Sequence, residues 1–497
     1  MSDHDRPAAD QTGVILEAPL EHPEDIEGSP GLPSASLAAG ASAPASADPE
    51  SRSDGYFEIW KLSWPVMMSQ VMVSGVGLID IMMVGRLGSD AIAAVGYASQ
   101  FLFLAVSALF AVGFACVALM ARSIGAGNAE RARHTLAASL QVSVVTSLVV
   151  STAVLIAPAP LLRMLGATDS VIATALPFLG LLMASSVLLA VSMTIENALR
   201  ANKNTTTPML ISAVVTAVKI GGNALLIFGS FGFPRLELVG AGIATVVSQC
   251  VGIALFLGVV VRAPAASPIS VRLRHFRAAG QLRREVVRLS LPGVGERLAM
   301  NFALLAYFRV LSSYGTVPIA AYTVGIRILS FSWIPGTGFG AAATTLVGQS
   351  LGAGGVERAT RAGWRATRLA VGVAIPLGGL CVWIREPLAR LFTDDLEVAA
   401  ALEPFLLCLA LAQPFLQAHF ALGGAHRGAG DTVTPFVAAA LGNWALRVPL
   451  AFVFAFVLHT DVIWIWYTLM FDHLMRTTWL VFSYRRGRWR DKLGDTG

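Results

Sequence analysis

Twelve long apolar runs decide what this chain of 497 residues folds into. They occupy roughly residues 62–84, 91–121, 135–161, 171–197, 207–231, 238–261, 288–311, 318–348, 366–384, 398–424, 433–457 and 462–483. About twenty apolar residues in a helix cross the hydrocarbon core of a bilayer, and each run is near or above that length. Lipid offers no water to take up backbone N–H and C=O groups, so such a run closes its hydrogen bonds on itself as a helix. Only 13% of the residues are charged, about half the share in soluble domains. The expected fold is an all-α polytopic membrane protein with twelve transmembrane helices.

The loops between the runs alternate in charge. One set carries Arg131, Arg133 and His134, then Arg200 and Lys203, then the stretch from Arg272 to Arg288, then Arg358, Arg361 and Arg365, and last Arg485, Arg486, Arg488 and Arg490. The other set is sparse or acidic: Thr316-Val317, Asp394-Asp395-Glu397 and Asp461. Basic loops stay in the cytoplasm, so a multi-pass protein of the cytoplasmic membrane with both termini inside is expected. The formal net charge of +5 belongs to this pattern and implies no nucleic-acid partner. The cysteines Cys116, Cys250, Cys381 and Cys408 stand singly in apolar runs, so neither a disulfide framework nor a metal site is expected.

The chain repeats itself at a constant offset. EIWKLSWP at 58–65 returns as EVVRLSLP at 285–292, which is 285 − 58 = 227 residues later. The same offset relates GSDAIAAVG (88–96) to GTVPIAAYT (315–323), SIGAGNAERA (123–132) to SLGAGGVERA (350–359), and LRANKNTTTP (199–208) to HRGAGDTVTP (426–435). Each half therefore holds six helices, and an even number gives both halves the same orientation. The expected organisation is a disordered tail 1–55, a lobe 56–262, a basic linker 263–287, a second lobe 288–484 and a basic tail 485–497. The SIGAG and SLGAG segments lack the lysine of a phosphate loop, and their glycines are expected to make tight turns.

Ionisable residues inside the runs are expensive in lipid and mark function by default. Asp80 lies well inside the first run, in VGLIDIMMVG, and is expected to be a coupling carboxylate. Its counterpart in the second half is Tyr307, so the acid serves one half only. Lys219 needs a counter-charge, and Asp80 is the nearest candidate; Asn223 follows one turn later on the same face. Lys219 is either a structural counter-ion or a direct participant. Arg447 sits within one residue of the equivalent place in the second half. Glu296 follows Pro292 in the seventh run, and its bland reading is a pair with Arg297. Arg327 in the eighth run needs a partner, for which Glu296 is the candidate. The spacings Glu196/Arg200 and Asp472/Arg476 read as structural pairs, and His419 as a packing residue. No nucleotide-binding domain, cofactor site or catalytic set stands out, so ion-driven transport rather than enzymatic chemistry is expected.

These residues resemble the multidrug and toxic compound extrusion (MATE) transporters over about 56–490. The matching features are Pro65, Asp80-x-x-Met-Val-Gly with Gly88 and Ala94-Val-Gly96, the turn Gln349-Ser-Leu-Gly-Ala-Gly354, Glu296 after Pro292, and Arg200 with Arg427. The resemblance implies two six-helix lobes around a central cleft, working as a monomer. It implies export of small cationic or amphipathic compounds against inward flow of H⁺ or Na⁺, with Asp80 and Glu296 as the coupling acids. Where some Na⁺-coupled members carry an acid in the tenth helix, this chain has Leu416-Gln417. Lys219 also brings positive charge where Na⁺ needs oxygen ligands. Both departures favour H⁺. A flippase for lipids or lipid-linked oligosaccharides is the alternative, kept open by Lys219, Arg327 and Arg447.

Overall fold

The computed structural model describes residues 52–490 apart from 278 and 394. The expected tail 1–55 falls almost wholly outside this range, as does the end of the tail 485–497. Twelve long helices run through the described residues: α1 (Arg52–Gly85), α2 (Ser89–Gly125), α3 (Ala129–Ile156), α4 (Asp169–Ala201), α5 (Thr206–Phe228) and α6 (Glu237–Arg262), then α7 (Gly280–Leu311), α8 (Thr316–Gly352), α9 (Val356–Trp383), α10 (Leu396–Gly428), α11 (Val433–Val457) and α12 (Val462–Arg486). Among the described residues, ten of them are long and apolar enough to cross a membrane. The other two, α7 and α12, are of similar length but carry Glu296, Arg297, Asp472 and Arg476 within their apolar runs. α1 starts at Arg52, inside the stretch assigned to the tail, and absorbs the short lead-in at 57–61.

The repeat fixes the helix ends. α2 and α8 begin 316 − 89 = 227 residues apart and end 352 − 125 = 227 residues apart. α3 and α9, and α4 and α10, keep the same offset at both ends. The turns match as well. Gly127 has φ 72° and Gly354 φ 77°, a left-handed conformation that glycine enters without steric cost. These are the glycines of SIGAG and SLGAG.

Irregular turns occur where function later gathers. α8 breaks at Trp333, just before Pro335, whose missing N–H cannot close a helical bond. Gln417 of α10 is fully buried there and donates to the Ser332 carbonyl at 2.6 Å. α11 contains two wider π-turns, Leu441–Arg447 and Val453–Val457. The first turns Asn443 and Arg447 toward the lobe interior; insertions of this kind recur at functional sites. Elsewhere small polar residues join the helices. Ser186 of α4 lies 2.9 Å from Ser147 and 2.7 Å from Ser151 of α3, the short-range hydrogen bonding that membrane helix pairs use.

The lobes meet at the end of the bundle that carries the basic loops. Gln349 Nε2 donates to the Ala201 carbonyl at 2.8 Å, and the Thr345 hydroxyl to the Arg200 carbonyl at 3.1 Å. Arg131 pairs with Glu285 at 3.5 Å, and Arg283 reaches Gln141 at 3.4 Å. The backbone of Gly125 packs against Gln349, and that of Gly352 against Arg122, closely enough that a side chain at either glycine would collide with the opposite chain. Gly338 takes Met67 and the Ser63 carbonyl of α1 in the same way.

Candidate functional site

In the first lobe Asp80 is held from α5 by two side chains. Lys219 Nζ lies 2.5 Å from its Oδ2, and Asn223 Nδ2 donates to its Oδ1 at 2.6 Å. The i, i+4 spacing on α5 puts both donors on one face, and α1 packs along that face. Asn223 is fully buried, whereas the side chains of Asp80 and Lys219 keep about a fifth of their surface open, at 23% and 20%. The acid is thus paired yet reachable.

The second lobe repeats the place but not the chemistry. Tyr307 occupies the position of Asp80, and Arg447 lies over its ring at 4.3 Å. Arg447 also donates to the Tyr322 hydroxyl at 2.8 Å. The ammonium–carboxylate pair of one lobe has become an arginine on an aromatic face in the other.

Glu296 has a different partner from the expected one. Arg427, at the end of α10, chelates it through Nη2 at 2.9 Å from each carboxylate oxygen. The expected pair with Arg327 does not form. Arg327 is exposed on α8 and has no carboxylate within 4.0 Å among the described residues. It shares an exposed face of α8 with Thr323 and Ser330, and Glu296 is taken instead by Arg427 of α10. The pair with Arg297 does not form either, because Arg297 turns to Phe110 of α2 at 5.4 Å. Arg427 lies over Phe114, one turn further along α2, at 4.5 Å. The repeat explains the exchange. The first-lobe counterpart of Arg427 is Arg200, which pairs with Glu196 on its own helix. In the second lobe that place is Gly423, and the acid has moved to α7.

Asp472 organises a third set. It is fully buried and takes Arg476 through two bonds of 2.6 and 2.8 Å, with Arg447 at 4.0 Å. Arg476 also donates to Asn443 at 2.8 Å. His419 and His473 stack beside this set, ring centroids 5.2 Å apart. Sequence spacing gave the Asp472–Arg476 pair; the cross-helix members need the fold to bring α10, α11 and α12 together.

A two-lobed, all-α membrane transporter is the class this arrangement defines. A family model, MatE, matches residues 65–225 and again 292–453. The chain belongs to the MatE family. It is 25% identical over 438 residues to a probable multidrug resistance protein NorM of Thermotoga maritima, covering 88% of this chain and 93% of that one. A protein of the same name from Bradyrhizobium diazoefficiens is 29% identical, with 87% and 93% covered. Among solved structures, the Vibrio cholerae MATE transporter VcmN in its bent form superposes with a TM-score of 0.82 at 20% identity, over 88% of this chain and 98% of that one. A MOP superfamily transporter from Pyrococcus furiosus gives 0.79 at 21% identity, over 89% and 97%.

Proposed function

We propose that the protein is a secondary active antiporter that exports small amphipathic compounds in exchange for H⁺ by alternating access. The observation that carries this reading is Asp80, a partly accessible carboxylate inside an apolar helix, bound to Lys219 at a place where the second lobe has Tyr307 instead of an acid. Protonation from outside neutralises Asp80 and removes its attraction for Lys219. Asn223 still bonds the acid, so the lobe loses one charge pair without losing the contact. The change shifts the balance between two lobe arrangements, as any ligand does that prefers one of them. The contacts at the basic-loop end are the gate that must part for the compound and the proton to exchange on the cytoplasmic side. The names borne by the relatives from Thermotoga maritima and Bradyrhizobium diazoefficiens support export of drugs.

H⁺ is favoured over Na⁺ by the ligands present. A sodium ion needs several oxygens, and at Asp80 it would meet an ammonium and an amide N–H instead. At Glu296 both oxygens already face Arg427. The lipid-flippase alternative loses support because Lys219 and Arg447 are engaged within their own lobes. The reading places the protein as a monomer in the cytoplasmic membrane with the basic loops inside. Membrane vesicles given a proton or a sodium gradient separately test it: accumulation of a fluorescent drug under the proton gradient alone is expected, and accumulation under sodium alone contradicts it.

A further inference from the structure

Helices α5 and α6 pack on each other through small residues. A side chain on Gly222 would start 3.0 Å from Ala244, and one on Gly252 would start 2.9 Å from Val215, the close approach that glycine allows between membrane helices. Past Gly252, toward the basic-loop end, this contact gives way to a cavity of about 480 Å³. Leu210 and Ile211 of α5, Leu255 and Val259 of α6, and Ile269 of the linker line it. The linker is held there from α3, where Arg133 Nε donates to the Ser267 carbonyl at 3.0 Å. Cavities of about 300–1,000 Å³ are the usual size of ligand sites. The groove does not belong to the Asp80 site. Leu210 stands 219 − 210 = 9 residues before Lys219, two and a half turns at about 3.6 residues per turn, so it faces away from α1 and Asp80. Leu210 and Leu255 are exposed, on two helices long and apolar enough to cross a membrane. The mouth of the groove therefore faces acyl chains, in the leaflet on the basic-loop side.

One charged residue joins this lining, Arg262, the last residue of α6. Side chains tilt toward the amino end of their helix, which for Arg262 is back toward the bilayer. The guanidinium follows that direction: its Nη1 lies 3.8 Å from where a side chain on Gly258, one turn earlier, would begin. Arg262 has no carboxylate within 4.0 Å and no hydrogen bond among the described residues. The hydroxyl-bearing residues Thr207 and Ser267 stand in the same lining. The groove thus joins an apolar trough to an unpaired cation at its water end, which are the complements of the two parts of an anionic amphiphile. A guanidinium presents a planar fork of donors that matches phosphate oxygens. Basic pockets between membrane helices on the cytoplasmic side are where acidic lipid headgroups bind.

We propose that the groove between α5 and α6 binds an anionic phospholipid, with an acyl chain along Leu210 and Leu255 and the phosphate on Arg262. A lipid seated there touches the first lobe and, through Ser267 and Ile269, the linker that leads to the second, and so braces the linker against the first lobe. The site is separate from the export reading, and either can fail without the other.

The test uses the full-length protein in nanodiscs and a phosphatidylglycerol that carries a diazirine in one acyl chain. After irradiation the labelled peptides are mapped. The strongest labelling is expected within 207–211 and 254–263. Unlabelled phosphatidylglycerol should compete about fivefold better than phosphatidylcholine, the size of one basic side chain acting on an anionic lipid. Arg262→Gln should erase that preference while some labelling persists. Gly258→Leu should remove the labelling by filling the groove; a Cβ there meets only Arg262, at 3.8 Å, so the helix has room for it. If Gly258→Leu does not yield folded protein, Arg262→Gln and the wild-type preference decide. Labelling confined to other peptides, unchanged labelling in Gly258→Leu, or an unchanged preference in Arg262→Gln overturns the proposal. Equal competition by the two lipids in the wild type also overturns it and leaves a groove that takes any lipid. So does displacement of the label by glycerol 3-phosphate in solution, which would assign the cation to a soluble phosphate.

Discussion

Arg447 lies 4.3 Å over the ring of Tyr307, in the place where the first lobe sets Lys219 against Asp80 at 2.5 Å. The two lobes have kept a cation from the eleventh or fifth helix facing the seventh or first. They differ in the partner, a carboxylate in the first lobe and a phenol ring in the second. Tyr307→Asp would give the second lobe an acid there. With Asp472 already near Arg447 at 4.0 Å, the added carboxylate should restore no transport to an Asp80→Asn protein if, as proposed, the coupling rests on the first lobe. Drug efflux by the double variant checks this; efflux near the wild-type rate would show that the lobes are interchangeable.

Asp472 neutralises two arginines inside the second lobe. Its removal leaves both charges buried and unpaired, a change that costs about 3–5 kcal/mol in proteins where it has been isolated. Asp472→Asn should therefore lower the thermal unfolding temperature in detergent much more than Asp80→Asn does. Size-exclusion profiles after a heat step measure it. Equal stability of the two variants would mean that Arg476 and Arg447 find other partners.

The contact between the lobes at the basic-loop end, the proposed gate, includes two glycines with no room for a side chain. Gly352→Val presses on the Arg122 carbonyl, and Gly125→Val on that of Gln349. Overpacking of about 1–3 kcal/mol acts only on the arrangement in which this end is shut, which shifts the balance roughly 5–150-fold toward its opening. Efflux should fall while expression is kept. Unchanged efflux from both variants would remove the gate from the cycle.

The linker between the lobes is strapped to α3. His275 is buried, its Nε2 3.2 Å from Glu130, and the His134 ring meets it edge-on at 5.1 Å. Burial pushes the His275 imidazole below its ordinary value; Glu130 pulls the other way, and His134 and Arg274 add to the depression. A histidine with a depressed value binds fewer protons docked than free, so docking strengthens as pH rises. The contribution is present above the ordinary value near 6.5 and is lost as pH falls below it. Proteolysis within 263–287 should be faster at about pH 5.5 than at about pH 7.5. Cleavage that is independent of pH would contradict the role of His275.

Much of this architecture is legible in the sequence. The apolar runs locate the helices, and the 227-residue offset fixes α2 against α8 and α4 against α10 to the residue. Asp80, Lys219 and Asn223 meet because a one-turn spacing on α5 is readable without a fold. The partner of Glu296 was not readable as a contact. Arg427 and Glu296 are 131 residues apart, and the repeat pointed elsewhere because its first-lobe arginine pairs within its own helix. Arg327 misled because its place in an apolar run does not show which face of the helix it is on; it is exposed beside Thr323 and Ser330. Ala279, in the basic linker, is buried, though a linker residue is expected to be open. Orientation is better tested by cysteines at Thr316, Asp395 and Arg277, all exposed. The first two should react with an impermeant maleimide in intact cells and the third should not; labelling at Arg277 would invert the topology.

The central claim is that Asp80 carries the coupled proton. Asp80→Asn keeps the shape and a hydrogen-bonding group toward Asn223, and fixes the neutral state. The protein should insert and fold as before. The direct measurement is proton movement on adding a transported compound to proteoliposomes, wild type against Asp80→Asn, with a pH-sensitive dye inside. Substrate-induced proton flux in the wild type and none in the variant is the expected result. Flux in the Asp80→Asn protein at the wild-type rate would make Asp80 a structural residue and contradict the account.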